Sequence, residues 1–184
     1  MNILSPSRGI QSLNLYSILF YFFIYSFIGW IVEGLYSLAL TGSFSKEGFL
    51  IGPLKPMYGF AMTIILILYT YYNYDNIVLL IFLSMIVPTS VEYLSGFLLD
   101  KIFHLKYWDY SSLPLNINGY VCILFSIFWI VLCLFAVYII HPLIETLYIN
   151  YEMLINTFSL ALLIYILVDL LITITLKLPI KKIL

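Results

Sequence analysis

Glu33 and Glu92 are the residues best placed to do chemistry, because each sets a carboxyl group inside a long apolar stretch. A charged carboxylate at the centre of a bilayer costs about 2.5–3.5 kcal/mol by insertion scales, so such groups commonly mark functional sites. The two are followed by a closely similar pattern. Gly48-Phe49, Pro53, Pro56 and Gly59 come after Glu33, and Tyr107-Trp108, Pro114 and Gly119 come after Glu92. Phe49 and Trp108 stand at the same distance from their glutamates, while Gly59 and Gly119 agree to within one residue. The pattern reads as a duplicated half carrying one polar site per copy. Two carboxyl groups facing one cavity can share a proton or hold a cation. In the quieter alternative, each protonated glutamate hydrogen-bonds a neighbouring helix as structural glue.

Residues around the glutamates extend the candidate site. Trp30 lies three residues before Glu33 and shares its helix face, as Gly96 shares that of Glu92. The segment Gly48-Phe49-Leu50-Ile51-Gly52-Pro53-Leu54-Lys55-Pro56-Met57-Tyr58-Gly59 is apolar but too rich in Gly and Pro for continuous helix. It is expected to pack into the bundle as a re-entrant or interfacial piece, with Gly52 and Pro53 offering backbone groups to an ion or substrate. A tight cap, with Pro setting the next helix start, would also account for it. The second segment runs from Tyr107-Trp108-Asp109-Tyr110 to Asn116-Ile117-Asn118-Gly119. Trp108 could anchor it at the interface. Asp109 could face a ligand, or pair with Lys101 and Lys106 in the loop. Asn116 and Asn118 could donate to an anionic group or cap the next helix.

Positioning these groups requires helices long enough to cross a membrane. The chain has 184 residues, 64% of them hydrophobic and 9% charged, more apolar surface than a soluble exterior can carry. The expected fold is an all-α, polytopic membrane bundle of about five spans, at 14–40, 57–74, 77–99, 119–141 and 152–176. The first four form a parallel two-plus-two repeat, with copies at about 14–74 and 77–141 and an extra C-terminal helix, all in one integral membrane domain. The first span is long enough to tilt, or to break near Gly29 or Gly34. The short link at Asn73-Asp75-Asn76 forces a hairpin, Pro88 should kink the third span before Glu92, and His141-Pro142 should end the fourth.

Orientation follows from the basic residues. Lys46, Lys55, Lys101, Lys106, Lys177, Lys181 and Lys182 fall on one side and Arg8 alone on the other. The lysine-rich side should be cytoplasmic, with the N-terminus outside and the C-terminus inside. Glu33, Glu92 and Asp169 then all lie in the cytoplasmic half.

Several chemistries are excluded or unsupported. A net charge of −1 gives no nucleic-acid footprint. Neither a P-loop nor a nucleophile–histidine–acid set is present, so no ATP-hydrolysing site is expected and no catalytic activity is assigned. Cys122 and Cys133 read as packing residues in one apolar run. His104 and His141 fall on opposite sides and cannot form one metal site. No cofactor or metal is expected.

At Gly29-Trp30 with Glu33, at Gly48-Phe49-Leu50 through Gly52-Pro53, Pro56 and Tyr58-Gly59, and at Glu92-Tyr93, the sequence resembles a bacterial family of ABC transporter permeases (type IV, CmpB-like). The most specific match is Tyr107-Trp108-Asp109-Tyr110-Ser111 running through Pro114, Asn116 and Asn118-Gly119. The likeness covers about residues 15–140. Ile51 stands where the family commonly has Asn or another small residue, and Tyr120 where it commonly has Arg. The resemblance implies a transport component of the bacterial plasma membrane working with a separate ATPase subunit, and so small a permease is expected to form a homo-oligomer. The site read from the residues comprises Glu33 and Glu92 as ion- or proton-handling carboxylates, with Trp30, Gly52, Pro53, Tyr58, Trp108, Asp109, Asn116 and Asn118 around them. The readings from other classes are a membrane-embedded enzyme acting on a lipid or prenyl substrate, with the carboxylates as acid and base, and a non-catalytic assembly or sensor subunit.

Overall fold

A computed structural model describes residues 13–44, 48–72 and 76–178. Arg8, Lys46, Lys181 and Lys182, with Asn73 and Asp75 of the short link, lie outside the described residues. The first helix, α1 (Leu15–Thr41), begins where the Asn14 side chain accepts the Ser17 amide at 2.8 Å and Ser17 Oγ accepts the Asn14 amide at 3.0 Å. This reciprocal cap satisfies two donors a helix start leaves open. It ends at Gly42, whose φ of 74° lets its amide reach Leu38 O at 2.9 Å. Between these ends α1 is continuous. Gly29 and Gly34 are packing positions, with the Tyr58 ring seated on the first and the Phe44 ring on the second.

Helix α2 (Pro56–Tyr72) starts with Pro56, which loses no helical bond in the first turn. Helix α3 (Ile77–Leu98) starts under the Asn76 side chain, which accepts the Leu79 amide at 3.0 Å, and runs through Pro88 into a π-helical turn at Leu99–Phe103. A small hairpin follows, with β1 (Asn116–Ile117) antiparallel to β2 (Val121–Cys122). Its turn places Asn118 at φ 55° and Gly119 at φ 73°, the left-handed pair that suits a tight hairpin.

The fourth span departs from expectation. Residues 119–122 belong to the hairpin, and α4 (Ile123–Phe135) passes through a π-helical turn (Ala136–Ile140) directly into α5 (His141–Asn150). His141-Pro142 therefore does not end the helix. The wider π turn displaces the ladder just before Pro142, which then falls at the start of α5, where a missing N–H breaks no bond. Helix α6 (Glu152–Lys177) follows after Tyr151 alone.

Among the described residues, four helical stretches are long and apolar enough to cross a membrane: Leu15–Thr41, Ile77–Phe103, Ile123–Asn150 and Glu152–Lys177. The 17 residues of α2 fall at the lower limit for a span. Consecutive helices α1 to α4 pack in order, with α6 against α1. The main core joins Tyr21, Ile65, Leu66, Tyr69, Leu80, Trp129, Cys133 and Tyr148. Small residues let α1 and α2 approach closely, since Gly59 lies against Ser26 and the Phe22 backbone. Outward positions such as Val78, Val131, Leu160 and Leu171 are apolar and exposed, the exterior of a helix bundle solvated by lipid.

Candidate functional site

The carboxylate of Glu92 is buried between α3, α4 and the second loop. Its Oε1 accepts the Tyr110 hydroxyl at 3.0 Å and its Oε2 the Trp129 indole N–H at 2.9 Å. Both donors are neutral, and no lysine or arginine among the described residues pairs with it. Glu33 is bound differently. Lys55, at the end of the first loop, puts its ammonium 2.5 Å from Glu33 Oε2.

Tyr58 joins the two. It sits in the first turn of α2, where its amide donates to the carbonyl of Lys55, the residue paired with Glu33, at 3.0 Å. Its ring packs on Gly29 and against Trp129, with centroids 5.0 Å apart. The structure thus brings Glu33, Lys55, Tyr58, Trp129, Glu92 and Tyr110 into one cluster. Glu92 can change its charge without breaking an ion pair, whereas Glu33 is tied to a cation.

Trp30 stands beside this cluster, stacked on Phe27 and edge-on to Phe44. Gly52 and Pro53 lie in a loop anchored to α6. The Asp169 carboxylate accepts the Ile51 amide at 3.0 Å, the Gly52 amide at 2.8 Å and the Thr173 hydroxyl at 3.0 Å. The backbone donors that a cradle at Gly52 would offer are therefore engaged. A Cβ on Gly52 would collide with the Tyr165 hydroxyl and Asp169. The same loop buries Leu50 and Leu54 against Phe23 and Ile166, so it packs into the bundle as its composition suggested.

In the second loop, polar groups mostly serve the loop. Trp108 Nε1 donates to Tyr120 O at 2.8 Å. Asn116 Nδ2 donates to Leu113 O at 2.8 Å, and its Oδ1 accepts the Gly119 amide at 3.1 Å. Asn118 Nδ2 donates to the Tyr93 hydroxyl at 3.0 Å from an exposed position. Asp109 accepts the Ser111 hydroxyl and, at 2.9 Å, the Ser111 amide, with Lys106 at 3.4 Å. These donors, the Ser111 hydroxyl first, hold its carboxyl below the usual range. Tyr120, where the resembled family commonly has Arg, donates its hydroxyl to Asp100 at 2.6 Å.

Sequence reasoning missed Lys55, Tyr110, Trp129 and Lys177 as site members and left Asp169 without a partner. A tryptophan in mid-span was one available signal, since its indole N–H must find an acceptor. Lys177 donates to Gly48 O, Phe49 O and the Tyr107 hydroxyl, each at 2.8 Å, so both loops meet at one end of the bundle. Among the described residues, no three His, Cys, Asp or Glu side chains converge as a metal site would require.

Comparison with curated proteins gives no match, and neither does comparison with solved structures. The profile of one family matches residues 20–174, a stretch that contains every residue of the cluster. The chain belongs to the family described as "Putative ABC-transporter type IV".

Proposed function

We propose that this chain is a permease-type membrane transport component whose polar site lies between two repeats, about residues 14–74 and 77–141, and faces the cytoplasm. The observation that carries this reading is the placement of the Tyr58 ring against Gly29, one turn before Glu33, and against Trp129, a donor to Glu92, with Glu33 paired with Lys55 and Glu92 held by two neutral donors. In this reading Glu92 takes up and releases a proton or cation. Tyr58, touching both halves, passes the resulting change of field to the Glu33–Lys55 pair. Asp109 and Asn118, exposed on the second loop, meet the substrate on its way in. Trp108 and Asn116 hold that loop in shape, Trp30 flanks Glu33, and the Gly52-Pro53 turn acts as a hinge. Family membership supports an ATPase partner in the plasma membrane of the bacterial cell, and the lysine distribution supports an external N-terminus.

The test is purification of the tagged chain from its native host in mild detergent, with identification of whatever co-elutes. A stoichiometric nucleotide-binding ATPase supports the reading. In that complex Glu92→Gln should leave assembly intact and cut substrate-stimulated ATP hydrolysis at least about tenfold, the scale of one buried charged hydrogen bond. Recovery of the chain alone or as a homomer, with Glu33→Gln and Glu92→Gln both fully active in cells, would overturn it.

A further inference from the structure

His141 is fully buried at the junction of the π turn and α5, and neither ring nitrogen has a hydrogen-bond partner among the described residues. Buried polar groups are overwhelmingly paired, so an imidazole with both nitrogens open calls for an explanation. Its surroundings are aromatic but not apolar throughout. Tyr21 meets it edge-on at 4.9 Å between centroids, and Tyr25 stacks on it at 6.2 Å. Tyr148 packs on Tyr21 at 6.0 Å, and its hydroxyl reaches Asn14 Oδ1 at 3.2 Å and Asn156 Oδ1 at 3.0 Å.

On α1, Tyr21, Tyr25, Gly29 and Glu33 recur every fourth residue and form one ridge that steps about 6 Å along the axis and winds about 40° around it at a time. At Gly29 the ridge is taken up by the Tyr58 ring, which leads to Glu33 and, past Trp129, to Glu92. The helical rise sets Asn14 and Glu33 about 28 Å apart, close to the roughly 30 Å thickness of a hydrocarbon core. Hydroxyls, one imidazole and two carboxylates are therefore spaced along this winding ridge and the side chains packed on it. The titratable groups in ring contact with His141 are Tyr21 and Tyr25 of α1; Tyr148 and Tyr69 lie in the same core as these rings, and Glu145 is the carboxylate that the helix of His141 places one turn on. Among the described residues the ring makes no ion pair.

We propose that His141 is a proton-relay residue midway along a hydroxyl-lined path joining the Asn14 end of the bundle to the Glu33–Glu92 cluster. One ring nitrogen takes a proton from the Tyr148–Tyr21 side while the other yields one towards Tyr25. The ring ends neutral in the opposite tautomer and is reset by turning over or by passage of the next proton. Water bridges the steps between hydroxyls. This deepens the proposed function by naming the proton as the ion that Glu92 handles, and it rests on that reading.

The test uses the full chain in lipid nanodiscs with His104→Gln, which leaves one of the two histidines. The ring nitrogens are followed by NMR between about pH 5 and about pH 9, bracketing imidazole titration. A relay exchanges its N–H with water and changes tautomer or charge within that range, and Tyr148→Phe slows the exchange at least about tenfold. A single neutral tautomer, protected from exchange throughout, overturns the proposal. In a second measurement, liposomes holding the otherwise native chain should admit protons under an imposed potential. His141→Phe, which keeps an aromatic ring in the core, should lose at least about nine-tenths of that flux, and undiminished flux would equally overturn the relay. If His141 exchanges and conducts while Glu33→Gln and Glu92→Gln leave transport unchanged, the relay stands and the coupling role of the glutamates fails.

Discussion

Glu92 illustrates what one buried carboxyl group asks of its neighbours. Each of its oxygens meets a donor, the Tyr110 hydroxyl on one side and the Trp129 indole on the other. Trp129→Phe keeps a ring against Tyr58 and removes one donor, so it should destabilise the fold by about 1–3 kcal/mol. Thermal unfolding in detergent would show this, and an unchanged midpoint would mean that the bond contributes nothing. Tyr110→Phe removes the other donor and should cost a similar amount. The glutamates were legible in the sequence because acids are scarce in apolar runs. Their partners were not, because Tyr110 and Trp129 resemble the interfacial aromatics that any membrane protein carries, and only the fold brings them to Glu92. Lys55 was read for orientation alone, although it ends as the counter-ion of Glu33.

At the level of elements, the first loop depends on α6. Asp169 satisfies the Ile51 and Gly52 amides, which packing would otherwise leave unpaired. Asp169→Ala should therefore cost about 1–3 kcal/mol for each amide not rescued by water, and amide exchange over residues 48–54 should rise with little change in α3 or α4. Gly52→Ala should give the same local pattern by collision with Asp169 and Tyr165. Helix existence was legible from apolar run length, and four of the five expected spans lie within a few residues of observed helices. The fourth went wrong at both ends. Asn118-Gly119 is a hairpin signal that was read as a helix start, and Pro142 is a breaker that the π turn neutralises. A proline's effect depends on the hydrogen-bond ladder just before it, which sequence does not display.

At the level of the whole molecule, an apolar exterior surrounds a mostly apolar core in which a few polar groups, Glu92, His141 and Asp169 among them, are buried. Cys122 and Cys133 are buried and free, so the native chain should resist thiol reagents while folded. A single cysteine at Ser111 should then label from the cytoplasmic side of sealed vesicles, and one at exposed Thr157 from the opposite side. The reverse pattern would invert the topology read from the lysines. The proposed two-plus-two repeat leaves α6 outside both copies, yet this helix makes a connection between the two loops. The Lys177 ammonium holds two carbonyls of the first loop and a hydroxyl of the second together. Its loss would uncouple the loops from each other, while Asp169 still holds the first and the Tyr110–Glu92 bond the second. The C-terminal helix thus works like a tie-bar between two panels that each keep their own fastening, so a shift of one loop is felt by the other.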